Sequence, residues 1–179
     1  MTVTLKQVEA VPVTYPATPT GLTTGAAALD AAMIWQRIEA YTLHRFSARA
    51  VVWTVEGPGD WVPPLTPATI STVEAWDGEA WVAASPAASP LGGYTLASEG
   101  PYRVTASVGG GSVPAAVAEA FRRLAAYIGD GQDDHFGVTS YKVAVGPVDT
   151  SFERPLTWLA KAMINSGAGD LLRPYREAF

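Results

Sequence analysis

The densest group of potential metal ligands in the chain is Asp133, Asp134 and His135. Side chains of adjacent residues rarely converge on one ion, and no second cluster of ligands follows at a suitable spacing. The other histidine, His44, lies near the end of a predicted helix, where its charge would favour the helix C-terminus as well as it would serve acid–base chemistry. We therefore predict no metal site and no cofactor.

Three consecutive glycines, Gly109 to Gly111, follow a predicted strand and precede a predicted helix, an arrangement in which backbone amides can bind phosphate. The lysine that such a site requires does not follow them, so the glycines indicate a turn. The G-x-S-x-G motif of hydrolases is absent, and the absence of cysteine excludes thiol catalysis and cysteine zinc sites. We predict a protein that is not an enzyme.

Tryptophan is frequent, and aromatic side chains of this kind can form a platform for carbohydrates or bases. The more economical interpretation is that they anchor a core and subunit interfaces, because each buries a large rigid area. A ligand- or carbohydrate-binding module that uses the tryptophan-rich β segment remains the alternative function. The six residues are Trp35, Trp53, Trp61, Trp76, Trp81 and Trp158.

Composition limits the possible partners. The chain has 179 residues, a formal charge of -5 and a pI near 4.9, so no general basic surface exists to bind nucleic acid. Hydrophobic residues make up 48% and charged residues only 16%, which favours burial against other subunits. No apolar stretch is long enough for a membrane span, and the first residues do not resemble a signal peptide. We expect a homo-oligomer without membrane contact.

Hydrophobic residues spaced by threes and fours predict three helices. They cover residues 24–46, 113–129 and 155–166. A long loop, 130–154, separates the last two, and part of it alternates as a strand would. A loop of that length in a compact domain indicates a functional role.

The segment 51–108 is predicted to form short antiparallel strands. Asp77-Gly78 is typical of a tight hairpin, which would bring Trp76 and Trp81 together. Frequent prolines predict that long continuous strands are excluded. The predicted strands are 51–56, 69–76, 80–83, 94–96 and 102–108.

Together these elements predict an α+β fold that is mainly α: a small helical bundle of three main helices with an inserted short antiparallel β segment, in a single domain over 1–179. Residues 1–22, which contain three prolines, are predicted to form an extended N-terminal arm. Residues 167–179 are predicted to form an extended C-terminal arm.

The C-terminal arm carries the strongest binding signal. A Gly-Ala-Gly sequence at 167–169, interpreted as a flexible spacer, precedes apolar side chains interleaved with arginine. These residue types supply most of the binding energy at protein interfaces. The alternative is a tail folded back on its own domain. The candidate residues are Leu171, Leu172, Arg173, Pro174, Tyr175 and Arg176.

The order of several soft motifs resembles the head-tail connector (adaptor) proteins of long-tailed phages and of phage-like gene transfer agents. The motifs are RIEAYTLHRF, VEAWDGEAW with YTL, GPYRVTASVGGGSVPAAVAEAFRRLAAYI, TSYKVAVGPVDTSF and LLRPYR, in that order. The resemblance covers most of residues 24–179. It implies a virion component at the head–tail junction, in a ring, a dodecamer in that family, that lies beneath the portal protein. A stopper or tail-terminator protein binds the ring, and DNA passes through its lumen.

The resemblance also implies roles for two segments. Leu171 to Arg176 would bind the portal, and the loop Gly131 to Ser151 would make contacts around the ring or toward the tail. An acidic lumen would let DNA slide, because each basic side chain adds salt-sensitive affinity for phosphate. On that argument Asp130, Asp133 and Asp134 are predicted to line the DNA channel. The N-terminal arm matches no part of the family pattern.

Overall fold

The computed structural model describes residues 1–131, 140–145, 148–153 and 157–176, and within 140–153 it defines two strands only. The chain divides into two compact units. The first, here called the sheet unit, contains residues 1–16 and 43–112. The second, called the helical unit, contains residues 17–42 and 113–179.

The sheet unit is built from eight strands in two antiparallel sheets. The strands are β1 Val3–Glu9, β2 Arg49–Glu56, β3 Gly59–Trp61, β4 Ala68–Trp76, β5 Trp81–Ala83, β6 Ala87–Ala88, β7 Tyr94–Leu96 and β8 Tyr102–Val108. The larger sheet has the order β1-β2-β8-β4-β5, and the smaller has the order β3-β7-β6. Asp77 and Gly78 form the turn between β4 and β5, as predicted, and the Asp77 amide donates to the Ala80 carbonyl at 3.1 Å.

One face of the larger sheet forms the core of this unit. Trp53 of β2 is fully buried and meets Trp61 edge to face, with ring centroids 5.4 Å apart. The alternate residues of β2 and β8 bury their side chains beside this pair, as the period of two requires. They are Val51, Val55, Tyr102, Val104, Ala106 and Val108.

Strand β1 lies at the edge of the larger sheet and turns Thr4, Gln7 and Glu9 toward the core face. The indole N–H of Trp53 donates to Gln7 Oε1 at 2.8 Å, and that of Trp61 donates to Thr4 Oγ1 at 3.0 Å. Buried indole N–H groups need a partner, so β1 supplies the acceptors that these two tryptophans require.

Glu9, at the end of β1, binds two arginines of the sheet unit. Its carboxylate accepts from Arg45 Nε at 2.5 Å and Nη2 at 2.9 Å, and from Arg49 Nη1 at 3.0 Å. Burial alone would raise the pKa of Glu9, but the hydrogen bonds and charges of Arg45 and Arg49 outweigh it and hold this pKa below its ordinary value. The carboxylate is therefore ionised and fastens β1 to β2.

The helical unit contains short helices around one long one. The helices are α1 Thr24–Ala27, α2 Ala31–Thr42, α3 Ala115–Gly129, α4 Ala162–Asn165 and α5 Ala168–Leu172, and a 3₁₀ turn follows at Arg173–Tyr175. Trp35 of α2 packs on Phe121 of α3 with ring centroids 4.9 Å apart, and both are buried. Strands β9 Ser140–Val145 and β10 Val148–Glu153 form an antiparallel hairpin.

Two glycines set the distance between α1 and α3. A Cβ added to Gly25 would lie 2.9 Å from the carbonyl carbon of Gly129, and one added to Gly129 would lie 2.6 Å from the Ala26 amide nitrogen. Real Cβ atoms do not approach backbone this closely, so only glycine permits the contact. Thr23 caps α1 by accepting from the Ala26 amide at 3.2 Å.

The prediction of a mainly helical bundle is wrong. Among the described residues, more lie in strands than in helices, and the β region is a compact unit with its own core. The prolines that were expected to exclude long strands all lie between strands, so β4 extends over nine residues. They are Pro58, Pro63, Pro64, Pro67, Pro86 and Pro90.

Both extended arms of the predicted fold are also wrong. Residues of the N-terminal arm form β1, and the C-terminal arm forms α5 and the 3₁₀ turn. The helix predicted over 24–46 is interrupted before α2 and ends at Thr42, where Leu43 has φ 59°. Of the helix predicted over 155–166, the structure describes residues 157–166. Residues 157–161 form a turn, and only α4 is helical.

We expect Leu172→Ala to lower the free energy of unfolding by about 3 kcal/mol, because Leu172 is fully buried and its truncation leaves a cavity. Urea denaturation followed by circular dichroism measures the change. Ile164→Ala is the control, since Ile164 is 74% exposed, and should change stability by less than about 0.5 kcal/mol. Equal effects of the two substitutions would contradict the docking of α5.

The Glu9 contacts should make stability depend on pH. Because the pKa of Glu9 is lower in the folded chain than its ordinary value of 4.5, its contribution is complete above that value and is lost as the pH falls through the folded pKa. The wild type should therefore exceed Glu9→Gln in unfolding free energy at neutral pH, and the gap should shrink as the pH falls below the ordinary pKa of 4.5 and through the lower pKa of folded Glu9. Glu56→Gln, on the exposed end of β2, controls for loss of one charge. A gap that stayed constant with pH would refute the assignment.

Candidate interaction surfaces

Helix α5 docks onto the helical unit through its small and apolar residues. Gly167 has φ 72°, a left-handed conformation that lets the chain turn directly from α4 into α5. A Cβ on Gly169 would lie 3.0 Å from the Tyr41 hydroxyl and 3.2 Å from the Met163 carbonyl oxygen. The two glycines therefore permit a turn and a close contact, and they do not form the flexible spacer that the sequence suggested.

The docked helix shapes a shallow groove, here called the C-terminal surface. The guanidinium of Arg176 lies over the Tyr41 ring at 4.8 Å from its centroid, within cation–π range. Ile164 is 74% exposed beside it. Arginines, a tyrosine and an exposed aliphatic side chain are typical of a protein-binding surface. The surface is defined by Tyr41, Ile164, Gly167, Gly169, Asp170, Arg173 and Arg176.

The six residues that were predicted to bind the portal fall into two groups. Leu172 is fully buried, and Leu171 and Tyr175 are half-buried. The other three, Arg173, Pro174 and Arg176, are exposed. A partner can reach the exposed group without displacing α5, whereas Leu172 holds the segment in place.

Only one of the three predicted channel residues lies in the described part of the chain. Asp130 is exposed at the end of α3, and its carboxylate accepts from the Thr23 hydroxyl at 2.9 Å. Asp130 thus has a structural contact with the cap of α1. Asp133 and Asp134, together with His135, lie outside the described residues.

His44 lies in the sheet unit, two residues after α2 ends at Thr42. Its ring packs on Phe46 with centroids 4.6 Å apart, and its Nδ1 is 3.4 Å from the Thr66 hydroxyl. Gly109 to Gly111 all have positive φ, as a turn requires. Among the described residues, no group of three or more acidic, histidine or cysteine side chains is placed to bind a metal ion, and no helix is long and apolar enough to cross a membrane.

The tryptophans of the β segment do not form a continuous platform. Trp53 and Trp61 are core residues, as Trp35 is in the helical unit. Trp76 and Trp81 are more accessible, but their rings meet edge to face at 5.3 Å, so they do not present one flat surface. The guanidinium of Arg103 covers Trp81 at 4.8 Å and is paired with Glu74.

Sequence reasoning missed the apolar face that β1 presents outward. Val3, Leu5 and Val8 are 46%, 56% and 52% exposed. Lys6 and Gln7 are adjacent in VTLKQVE, so apolar and polar residues do not alternate strictly and the strand signal is weak. Their sense is also the reverse of the usual one, because polar residues of β1 bind the buried indoles while Val3 and Val8 face outward.

No protein-family model matches the chain, and no curated protein matches it. The chain is similar to one in a solved structure described as the virion of a native gene transfer agent (GTA) particle. The similarity covers 90% of this chain and 95% of that one, at 16% sequence identity and a TM-score of 0.44.

Proposed function

We propose that the chain is a structural subunit of the head–tail junction of a phage or phage-like particle. In this role it forms a homo-oligomeric ring beneath the portal, joins the DNA-filled head to the tail and lines the DNA channel without catalysing a reaction. The observation that carries the proposal is the C-terminal surface, where arginines and an exposed aliphatic side chain are held on a docked helix. The motif order that resembles connector proteins supports it.

The C-terminal surface is suited to bind a larger partner because its frame is already ordered. Leu172 and Ala168 are buried, so α5 does not have to fold when a partner arrives. Ordering a segment on binding costs free energy, and a preformed surface avoids part of that cost. Arg173 and Arg176 are then available to a carboxylate or to backbone carbonyls of the portal, which arginine binds with several donors.

A ring of subunits raises the total binding affinity that weak individual contacts can give. If each subunit contributes one C-terminal surface, binding of the first subunit brings the others close to their own sites on a symmetric portal. The total affinity then exceeds that of one contact by orders of magnitude without any single contact being strong. The same reasoning applies on the opposite side of the ring to a stopper or tail-terminator protein.

The DNA channel is the second element of the proposal. Asp130, with Asp133 and Asp134 next along the chain, would place negative charge toward the lumen. Carboxylates do not retain phosphate groups, so DNA would pass with little friction. Asp130 keeps an exposed carboxylate even though it accepts a hydrogen bond from Thr23.

We expect Arg173→Glu to weaken binding of the chain to its portal on the order of tenfold for each contact, because a charge-assisted hydrogen bond is replaced by repulsion. Co-sedimentation of the chain with purified portal rings measures the loss. Lys161→Glu makes the same change of charge on the same unit, outside the C-terminal surface, and should bind normally. Unaltered binding of Arg173→Glu, with its circular dichroism spectrum intact, would overturn the portal-binding role.

A further inference from the structure

Arg173 and Arg176 of the C-terminal surface differ from the other described arginines, because their guanidinium groups have no acceptor. Within the described residues neither forms an ion pair or donates to an oxygen, and Arg176 only covers the Tyr41 ring. Every other arginine in that part of the chain donates to a carboxylate or to a backbone carbonyl. They are Arg37, Arg45, Arg49, Arg103, Arg122 and Arg123.

The two unmatched arginines are held close together on an ordered segment. Arg173 follows the fully buried Leu172 and begins the 3₁₀ turn, and the Arg176 amide donates to the Arg173 carbonyl at 3.2 Å. Pro174 between them has a restricted φ, which removes backbone freedom. A partner therefore meets two cations whose backbone is ordered before binding, so the free-energy cost of ordering them is smaller.

The groove beside these arginines combines positive charge with an apolar contact. Its lining contains two exposed arginines and one exposed aspartate, Asp170, so it carries a net positive charge on a chain whose formal charge is -5. Ile164, in the same lining, is 74% exposed. A matching partner has to supply anionic groups and an apolar side chain together.

We propose that the C-terminal surface binds an acidic segment of the portal protein, in which carboxylates pair with Arg173 and Arg176 and an apolar side chain covers Ile164. The inference deepens the proposed function and rests on it. It names the chemistry of the bound segment, whereas the portal-binding role alone also allows neutral backbone carbonyls as acceptors.

Charge favours carboxylates over neutral acceptors. Contact with a partner removes water from both guanidinium groups, and a charge that leaves water without an opposite charge is destabilised. Carboxylates match the planar donors of arginine in pairs, and such bonds are stronger than those to neutral oxygens. Complementary charge also selects the partner and speeds association.

A protein segment fits this surface better than the phosphates of DNA. Asp170 lies in the same lining and repels phosphate, as does the negative charge of the whole chain. A phosphate backbone also offers nothing apolar to cover Ile164. An acidic segment with an apolar residue satisfies both parts of the groove.

Zero-length cross-linking tests the proposal on the full chain bound to purified portal rings. Carbodiimide joins an amine to a carboxylate only when the two groups are in contact, and it does not couple arginine. Arg173→Lys and Arg176→Lys therefore each keep the charge and place one reactive amine at the contact. Cross-linked peptides are identified by mass spectrometry. The wild type is the control, and so is Lys161, which is exposed on the same unit outside the C-terminal surface.

We expect both variants to cross-link to aspartate or glutamate of one portal segment, and neither control to do so. Raising the salt concentration from about 0.05 M to about 0.5 M should weaken portal binding by the wild type on the order of tenfold, because the paired charges are screened. Ile164→Ala should weaken binding several-fold without changing this salt dependence.

Two results would overturn the acidic partner. One is a stable complex with the portal in which neither lysine variant cross-links to a portal carboxylate. The other is displacement of the portal by a short DNA duplex added as competitor, which would identify phosphate as the ligand.

These results are separate from the test of the portal-binding role. If Arg173→Glu weakens portal binding but the lysine variants give no cross-link, the portal-binding role stands and the acidic segment is refuted. If Arg173→Glu binds the portal normally, the portal-binding role fails and the acidic segment fails with it.

Discussion

The ion cluster of Glu9 with Arg45 and Arg49 is the contact on which the properties of β1 depend. It fastens the last residue of the strand to the sheet, while the acceptors of Thr4 and Gln7 satisfy the buried indoles of the core. With these three side chains on the core side, the strand presents Val3, Lys6 and Val8 outward. A single set of polar contacts therefore completes the core of the sheet unit and leaves apolar side chains on its outer face.

The helical unit also holds a terminal segment in place through a few specific contacts. Its last segment would be too short to fold alone, but Leu172 and the close approach of Gly169 to Tyr41 hold it on the unit. Leu172 is buried in the unit, whereas Arg173 and Arg176 beside it are exposed. The sheet unit thus holds β1 through polar side chains and exposes apolar ones, while the helical unit holds α5 through an apolar side chain and exposes cations.

Much of the sheet could be predicted from the sequence, because strand alternation and the Asp77-Gly78 turn are local signals. Strand β1 could not, since its partner β2 begins 40 residues after β1 ends and the alternation of β1 is reversed by the indoles of Trp53 and Trp61. Proline was interpreted as a breaker of strands, whereas here it occurs between them. Gly167 and Gly169 were interpreted as a spacer because glycine gives the same sequence signal in a flexible linker, a left-handed turn and a close helix contact. Only the surrounding tertiary structure distinguishes these cases.

Amide hydrogen exchange at the end of β1 tests most directly the central claim, that the Glu9 ion cluster fastens this strand to β2. The Ala10 amide, one residue after Glu9, donates to the Ala50 carbonyl in β2 at 2.9 Å, so its exchange rate reports whether the end of the strand is docked. We expect this amide to exchange slowly in the wild type and in Glu56→Gln at neutral pH, and markedly faster in Glu9→Gln. Equal exchange rates in the wild type and Glu9→Gln would contradict the claim.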